Sequence, residues 1–448
     1  MDSYYIWTVG CQMNKVDSER LESALGQMGL VSRETPAEAD VVVINSCVVR
    51  ESAEDRVVGM VTSLKPLKQR DPDRVVALMG CMVGPKSDAL ETRFPYVDIF
   101  IQPQQIGPLI NLLGDRMGID PEGCIGPLTA KADVATYIPI SHGCDKFCTF
   151  CIIPYRRGRE ISRPAPEIVH EITVMVDRGV KDITLLGQNV DSYGHDIRPR
   201  LDLADLLEQV HEISGLERIR FLTSHPNDMS VRILEAVRDL PKVCENINLP
   251  FQAGDDALLV NMRRGYTIGQ YLEKISQVKE TIPGVNLTTD LIVGFSGETD
   301  NQFERSLEVL RAVEFDKVHV AAYSNREGTY ASRNMPDTVD RSIKKARLVA
   351  IDEVQQKIQT VKNAKLVGRA FEVLIEGRKR SRLHGRTRGD KLVYIDTQNS
   401  QSLEPGQTML VEITSSSPWS LEADLAPFSY ADDGNNSHRV NKEKVPVA

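Results

Sequence analysis

Short β-branched runs alternate with stretches carrying apolar residues at helical spacing along most of this chain. SYYIWTV, DVVVINS, RVVALMG and VDIFI read as strands, and Ser18 to Gly29 and Ala53 to Lys68 read as helices between them. That rhythm predicts an α/β N-terminal domain over residues 1–117, an open parallel sheet with covering helices. Residues 118–136 are rich in Gly and Pro without periodicity and read as a linker. Over 137–361 the alternation resumes, with strands expected at TYIPIS, KDITLLGQN, RIRFLTS, ENINLPFQ, NLTTDLIVGF and KVHVAAYS and a closing helix from Ser342 to Lys365. Six strand and helix pairs predict a full or partial β/α barrel, with its chemistry at the carboxyl ends of the strands. FEVLIEG, KLVYID and TMLVEITSSS then predict a small antiparallel β-barrel over 362–426, and the polar, aperiodic 427–448 reads as a disordered tail.

Composition adds bounds. The chain has 448 residues, 41% hydrophobic and 26% charged, which suits a multidomain globular protein. Neither a signal peptide nor an apolar run of membrane-spanning length is visible, so a cytoplasmic protein with no membrane partner is expected. In a reducing compartment eight cysteines point to metal or redox chemistry rather than disulfides. A net charge of −9 argues against indiscriminate nucleic-acid coating, but leaves room for a local basic patch.

The stretch SHGCDKFCTFCIIPY places Cys144, Cys148 and Cys151 within eight positions. Core coincidence fits poorly with so polar a stretch. Zinc would need a fourth ligand such as His142. A redox disulfide uses two cysteines, not three. An iron–sulfur cube with one open iron explains the count best. Cys11, Cys47 and Cys81 each follow a predicted strand, and in an open parallel sheet those ends converge on one crevice. They read either as a second cluster with an open iron or as three unrelated small core residues. Cys124 and Cys244 have no partner by spacing and read as ordinary cysteines.

CxxxCxxC after the first strand of a β/α barrel resembles the radical S-adenosylmethionine (SAM) enzymes. GCQMNKVDSER, NSCVVRESAEDRV, GCM, SHGCDKFCTFCIIPYRRGREISR, LLGQNVDSYG, LPFQAG, RRGYT and TTDLIVGFSGET extend the resemblance to the methylthiotransferases, and GCQMN is similar to their MiaB-type tRNA branch. The resemblance implies two 4Fe-4S clusters, one on Cys144, Cys148 and Cys151 whose open iron takes SAM, and an auxiliary one on Cys11, Cys47 and Cys81. It also implies a C-terminal RNA-binding TRAM domain. The activity implied is methylthio insertion at carbon two of N6-isopentenyladenosine beside the anticodon, using two SAM per turnover. The partners implied are the anticodon arm of tRNA and an electron donor such as flavodoxin or ferredoxin, with the sulfur donor left open.

Other residues follow from position. Gln188, Asn189, Gln252 and Asp290 fall at strand-associated positions where barrels present ligand-binding groups, for SAM or the target adenine, or serve structural hydrogen bonds. Arg156, Arg157 and Arg159 follow the cysteines, where cations suit SAM's carboxylate or tRNA phosphate, or form a solvated turn. Phe147 and Phe150 read as cluster shielding or ordinary core. GRKRSRLHGRTRGDK concentrates Arg378, Lys379, Arg380, Arg382, Arg386, Arg388 and Lys391 against Asp390, the footprint of a phosphate-binding surface or of a solvated loop. Ala253 stands where the family commonly has Ser, and Glu327 where it has Pro, which bears on substrate fit. Alternatives are methylthiotransferases for threonylcarbamoyl adenosine or a ribosomal protein, and a non-catalytic iron–sulfur RNA-binding sensor.

Overall fold

The computed structural model describes residues 1–48, 51–120, 133–379, 382–396 and 403–425. Most of the expected linker, with Cys124, and the expected tail lie outside them, as does Arg380.

The N-terminal sheet contains β1 (Ser3–Thr8), β2 (Val31–Ser32), β3 (Val41–Ser46), β4 (Val75–Gly80) and β5 (Ile99–Ile101), all parallel in the order β2-β1-β3-β4-β5. VVVINS and VVALMG are buried at every position because helices cover both faces, so they read as continuous apolar runs. On one face lie α1 (Gln12–Gln27) and α4 (Gly107–Met117), through Leu21, Leu25, Leu109 and Leu113. On the other lies α2 (Glu51–Arg70), through Val57, Val61 and Leu64. The short α3 (Asp88–Arg93) precedes β5.

The observed α1 starts six residues before the expected Ser18. Its first turns carry Asn14, Asp17 and Ser18, polar yet buried, so apolar periodicity could not reveal them.

The central domain carries the six expected strands: β6 (Ala135–Pro139), β9 (Asp182–Leu186), β10 (Arg218–Phe221), β11 (Asn246–Asn248), β12 (Asn286–Val293) and β13 (Lys317–Ala322). A small hairpin of β7 (Ser141–His142) and β8 (Ile161–Ser162) sits after β6, with α5 (Ile153–Arg157) between its arms. Two three-stranded parallel sheets, β10-β9-β6 and β11-β12-β13, meet through one bridge, Ile219 to Val243. Among the described residues no pairing returns from β13 to β6, so the barrel is partial. Helices α6 (Ala165–Asp177), α7 (Leu203–His211), α8 (Val231–Asp239), α9 (Asp256–Asn261), α10 (Ile268–Thr281) and α11 (Asp300–Val313) contribute to one continuous core around it.

After α12 (Tyr330–Asn334), the long α13 (Arg341–Ala364) leads into a closed barrel of β14 (Ala370–Lys379), β15 (Arg382–Thr387), β16 (Leu392–Ile395), β17 (Thr408–Ser416) and β18 (Leu421–Leu425). It differs from expectation in two ways. Closure pairs β16 with β18 in parallel, so the barrel is not wholly antiparallel. The basic run contains a strand: RLHGRT buries Leu383, Gly385 and Thr387, while Arg382, His384 and Arg386 stand on the other face, a period of two masked by charge.

Candidate metal centres

Cys11, Cys47 and Cys81 stand just beyond the carboxyl ends of β1, β3 and β4, neighbours in the sheet. Glycine brings these ends together. Gly10 has φ +148°, and a Cβ there would lie 2.8 Å from the Cβ of Cys47. Gly80 has φ +99°, and a Cβ there would lie 2.4 Å from Ser46 O and Asn45 Oδ1. Beneath the thiols, Asn14 Nδ2 donates to Asn45 Oδ1 and Ser46 O at 2.9 and 2.8 Å. Asn45 Nδ2 donates back to Asn14 O at 2.8 Å, so the start of α1 is locked to β3. Cys11 caps α1 and its Sγ donates to Asn14 Oδ1 at 3.3 Å. Burial, offset by Arg157 and reinforced by Cys11 and Cys47, pushes the Cys81 thiol up to about 11.

Cys144, Cys148 and Cys151 occupy the loop between β7 and α5, curled so that Cys151 N–H donates to Cys148 O at 3.0 Å. Phe147 between them holds φ +47°, a left-handed conformation costly for a bulky side chain. Burial drives the Cys144 thiol up to about 11 and that of Cys151 to about 12. Lys146 in the loop pairs with Asp228 at 2.6 Å, and Asn189 Nδ2 donates to the same carboxylate at 2.6 Å. Phe150 packs edge-on against Phe295, which packs on Tyr323, closing one side.

Each trio has a buried arginine on one of its sulfurs. Arg264 Nη1 donates to Cys148 Sγ at 3.3 Å. Arg157 Nε donates to Cys81 Sγ at 3.3 Å. Arg157 belongs to α5, so it reaches from the central domain into the N-terminal one, where it also pairs with Asp17 at 2.9 Å; its side chain is 1% exposed and that of Asp17 3%. Met13, Val16 and Leu186 pack across the same seam, and Arg20 with Glu171 and Arg326 with Glu54 bridge it at 2.9 and 3.2 Å.

These residues fit iron–sulfur cubes. Among the described residues no three His, Cys, Asp or Glu side chains are arranged to hold a single metal ion. A cube is wider than an ion and puts each thiolate on its own iron, and soft thiol donors suit iron. Buried thiols that resist ionising alone are deprotonated when a metal coordinates them.

The chain matches the Radical SAM superfamily over residues 138–310, the Uncharacterized protein family UPF0004 over 3–102 and the TRAM domain over 364–426. A Roseiflexus sp. (strain RS-1) protein named tRNA-2-methylthio-N(6)-dimethylallyladenosine synthase is 46% identical over 94% of this chain and 89% of its own length. A protein of the same name from Herpetosiphon aurantiacus is 44% identical over 94% and 97%. The chain belongs to this synthase family. In fold it is also similar to a radical S-adenosylmethionine methyltransferase from Kitasatospora setae, with TM-score 0.54 at 14% identity, covering 74% of this chain and 77% of that one.

In this member of the synthase family the expected barrel residues divide. Asp290 alternates with buried neighbours on β12, and accepts from Asn248 Nδ2 at 3.1 Å. Gln252 holds φ +67° and bridges β12, with its N–H donating to Asp290 O at 3.0 Å. Strain of that kind is tolerated where neighbours over-determine it and collects at functional sites. Gln188 keeps a buried Oε1 without a partner among the described residues. Asn189 Nδ2 donates to Ser192 and Asp228, bracing the cysteine loop, while its Oδ1, like that of Gln188, is buried without a partner among the described residues.

The basic run expected to form one phosphate-binding surface also divides by its contacts within the protein. The TRAM barrel docks at the amino ends of the central strands, opposite the cysteine loops. Arg388 pairs with Glu245 at 2.9 Å, just before β11, and Lys391 with Asp316 at 3.1 Å, just before β13. Arg386 is held by Glu376 and Asp390 within its own barrel. In return Arg218 and Arg220 donate to the carbonyls of Arg386 and Arg388 at 2.6 and 2.7 Å. Arg378, Lys379 and Arg382 remain away from this dock, Arg382 pairing with Glu422 across exposed strands. Cys244 is core, 1% exposed beside Arg220. Motif spacing missed Arg264 and Asp17; the helical offset of three from Cys11 to Asn14 to Asp17 was the available signal.

Proposed function

We propose that this chain is a tRNA methylthiotransferase that installs a methylthio group at carbon two of N6-dimethylallyladenosine beside the anticodon. The observation that carries the reading is the pair of three-cysteine groups, each with a buried arginine on one sulfur, Arg264 on Cys148 and Arg157, which reaches Cys81 across the domain seam from α5. The names of the full-length relatives support the substrate.

In this reading Cys144, Cys148 and Cys151 hold the radical cluster with SAM at its open iron, and Cys11, Cys47 and Cys81 hold the auxiliary cluster. When bound, these groups supply a radical able to remove an aromatic hydrogen, and a place where sulfur is held and methylated, with two SAM used per turnover. The protein supplies the rest. Arg264 and Arg157 donate hydrogen bonds to ligand sulfurs, which raises a cluster's reduction potential. Gln252, Asp290 and Gln188 orient SAM or the adenine, while Phe150, Phe295 and Tyr323 keep water from the radical site. Arg378, Lys379 and Arg382 meet the backbone of the anticodon arm. Electrons come from a flavodoxin or ferredoxin, and the reaction takes place in the cytoplasm. Among the described residues no helix is long and apolar enough to cross a membrane.

Nucleoside mass spectrometry of tRNA from cells with and without the gene tests the reading. Loss of 2-methylthio adenosines in the deletion, restored by the gene, is expected, and their persistence in a strain without a redundant enzyme refutes it. In anaerobically reconstituted protein, Ala at Cys11, Cys47 and Cys81 abolishes methylthio insertion but spares SAM cleavage, whereas Ala at Cys144, Cys148 and Cys151 abolishes both. A non-catalytic sensor would cleave no SAM.

A further inference from the structure

A cavity of about 1180 Å³ opens along the last residues of β13, the edge strand at which the partial barrel fails to close. Residues of α2 and Arg93 of the N-terminal domain form a second wall, and the first turns of α13 a third. That volume exceeds the roughly 300–1,000 Å³ of pockets that take one small ligand, and suits a length of chain passing between two domains. Acids such as Asp55 and Asp340 and bases such as Arg93 and Lys345 balance around it, so any preference for an anion is local.

Arg326, in the turn after β13, supplies that local preference. Its side chain is 9% exposed, and Nη1 donates to Glu54 across the domain seam at 3.2 Å. Nε and Nη2 are buried without a partner among the described residues, and so is the hydroxyl of Tyr323, on the same cavity wall. Burial and Asp337 push the Tyr323 phenol's pKa up while Arg326 acts against them, so the two side chains are neighbours. Buried polar atoms nearly always find partners. Nε and Nη2 together make the side-on edge of a guanidinium, whose paired N–H bonds match two oxygens of a phosphate. Glu54, by holding the third nitrogen, keeps that fork in place.

The turn is also tied to the radical cysteine loop. Thr329 N–H and Oγ1 donate to Arg326 O at 3.1 and 2.8 Å, and Ala331 N–H, one turn into α12, donates to Thr149 O at 2.9 Å. An anion held by Arg326 is thereby kept in register with Cys148 and Cys151, which flank Thr149.

We infer that Arg326, with the Tyr323 hydroxyl, anchors one backbone phosphate of the substrate RNA where its strand enters the open side of the barrel. The inference rests on the tRNA reading above and adds a binding residue to it. SAM's carboxylate is the other oxyanion at hand, but its methionine end belongs at the open iron on the cysteine loop, and no residue of that loop lines this cavity.

The test uses the full chain with both clusters reconstituted and an anticodon stem–loop RNA carrying N6-dimethylallyladenosine. A single methylphosphonate linkage, which removes one phosphate charge, is moved along the loop of the RNA, and dissociation constants are measured for the parent, Arg326→Gln and Arg326→Lys. Lys keeps the charge beside Glu54 but not the fork, so it remains informative where Gln fails to fold. Each variant should bind the unsubstituted RNA roughly ten-fold more weakly, the scale of one charge-assisted contact. In the parent one linkage position should cost about as much, and there the variants should lose nothing further, because both changes remove the same contact. Equal losses at every position in parent and variants overturn the proposal and leave Arg326 a seam residue. So does a raised KM for SAM with RNA affinity unchanged, which would give the fork to SAM's carboxylate. A parent that leaves the RNA unmodified, read by nucleoside mass spectrometry, removes the enzyme reading itself and the anchor with it.

Discussion

Asp191 lies buried in the loop after β9, its carboxylate accepting from Ser224 Oγ at 2.9 Å and from the His225 N–H at 3.0 Å. Burial outweighs those two bonds and raises its pKa from 3.8 to about 7. Asn has the same shape: its oxygen can accept from His225 while its amide donates to the Ser224 hydroxyl, which can turn to accept. The substitution thus removes a buried charge and keeps both hydrogen bonds. Below the unfolded value both states hold the proton and there is no cost. As pH rises through 3.8 the unfolded chain ionises while the folded one stays protonated, so stability falls until the folded group ionises near 7. At about 1.4 kcal/mol per pH unit, the full cost above pH 7 is about 4 kcal/mol, of which about 2.7 kcal/mol develops between pH 5 and pH 7. Urea denaturation followed by far-UV circular dichroism, with parent and Asp191→Asn side by side at pH 5 and pH 8, measures this, because effects common to both cancel. The variant should gain on the parent by about 2.7 kcal/mol between the two conditions. An advantage equal at both pH values, or a variant less stable at pH 8, refutes the reasoning.

Arg220→Ala leaves Asp182 buried without its 2.9 Å partner and cuts two bonds to the TRAM backbone, so a loss of about 3–5 kcal/mol is expected, with faster hydrogen exchange over 382–387. In tRNA binding, neutralising Arg378, Lys379 and Arg382 should flatten the dependence of log affinity on log salt by roughly 0.7–0.9 for each phosphate that the protein no longer neutralises. Arg388→Gln should instead loosen the dock and leave that slope unchanged, since its charge already serves Glu245. Gly10→Ala forces a Cβ within 2.8 Å of Cys47 in a left-handed backbone, and iron content after reconstitution should fall by the auxiliary cluster alone while SAM cleavage survives.

Much of the fold was legible because its elements bury continuous or periodic apolar faces. All six central strands and α13 lie where the β-branched runs and helical spacing put them. What escaped had polar residues in structural roles. The first turns of α1 bury Asn14 and Asp17, whose partners on β3 and α5 lie far along the chain. The strand RLHGRT was hidden by its charges, and so was the division of the basic run, because Glu245 and Asp316 come from other strands.

The sequence alone determined the local chemistry: three cysteines spaced for one cube in a single loop, and three more placed one after each of three strands. Parallel pairing then obliges those strand ends to share an edge, so even the second trio's convergence was implicit in the pattern. Only the tertiary structure decided which cations serve which site. Arginine carries the same charge in an exposed turn as in a sealed seam, and its role depends on the carboxylates and sulfurs that other segments bring within reach. Arg157, read in sequence as one of three basic residues in a turn, is a buried link between Asp17 and Cys81, while Arg159 of the same turn is solvent-exposed and pairs with Asp145.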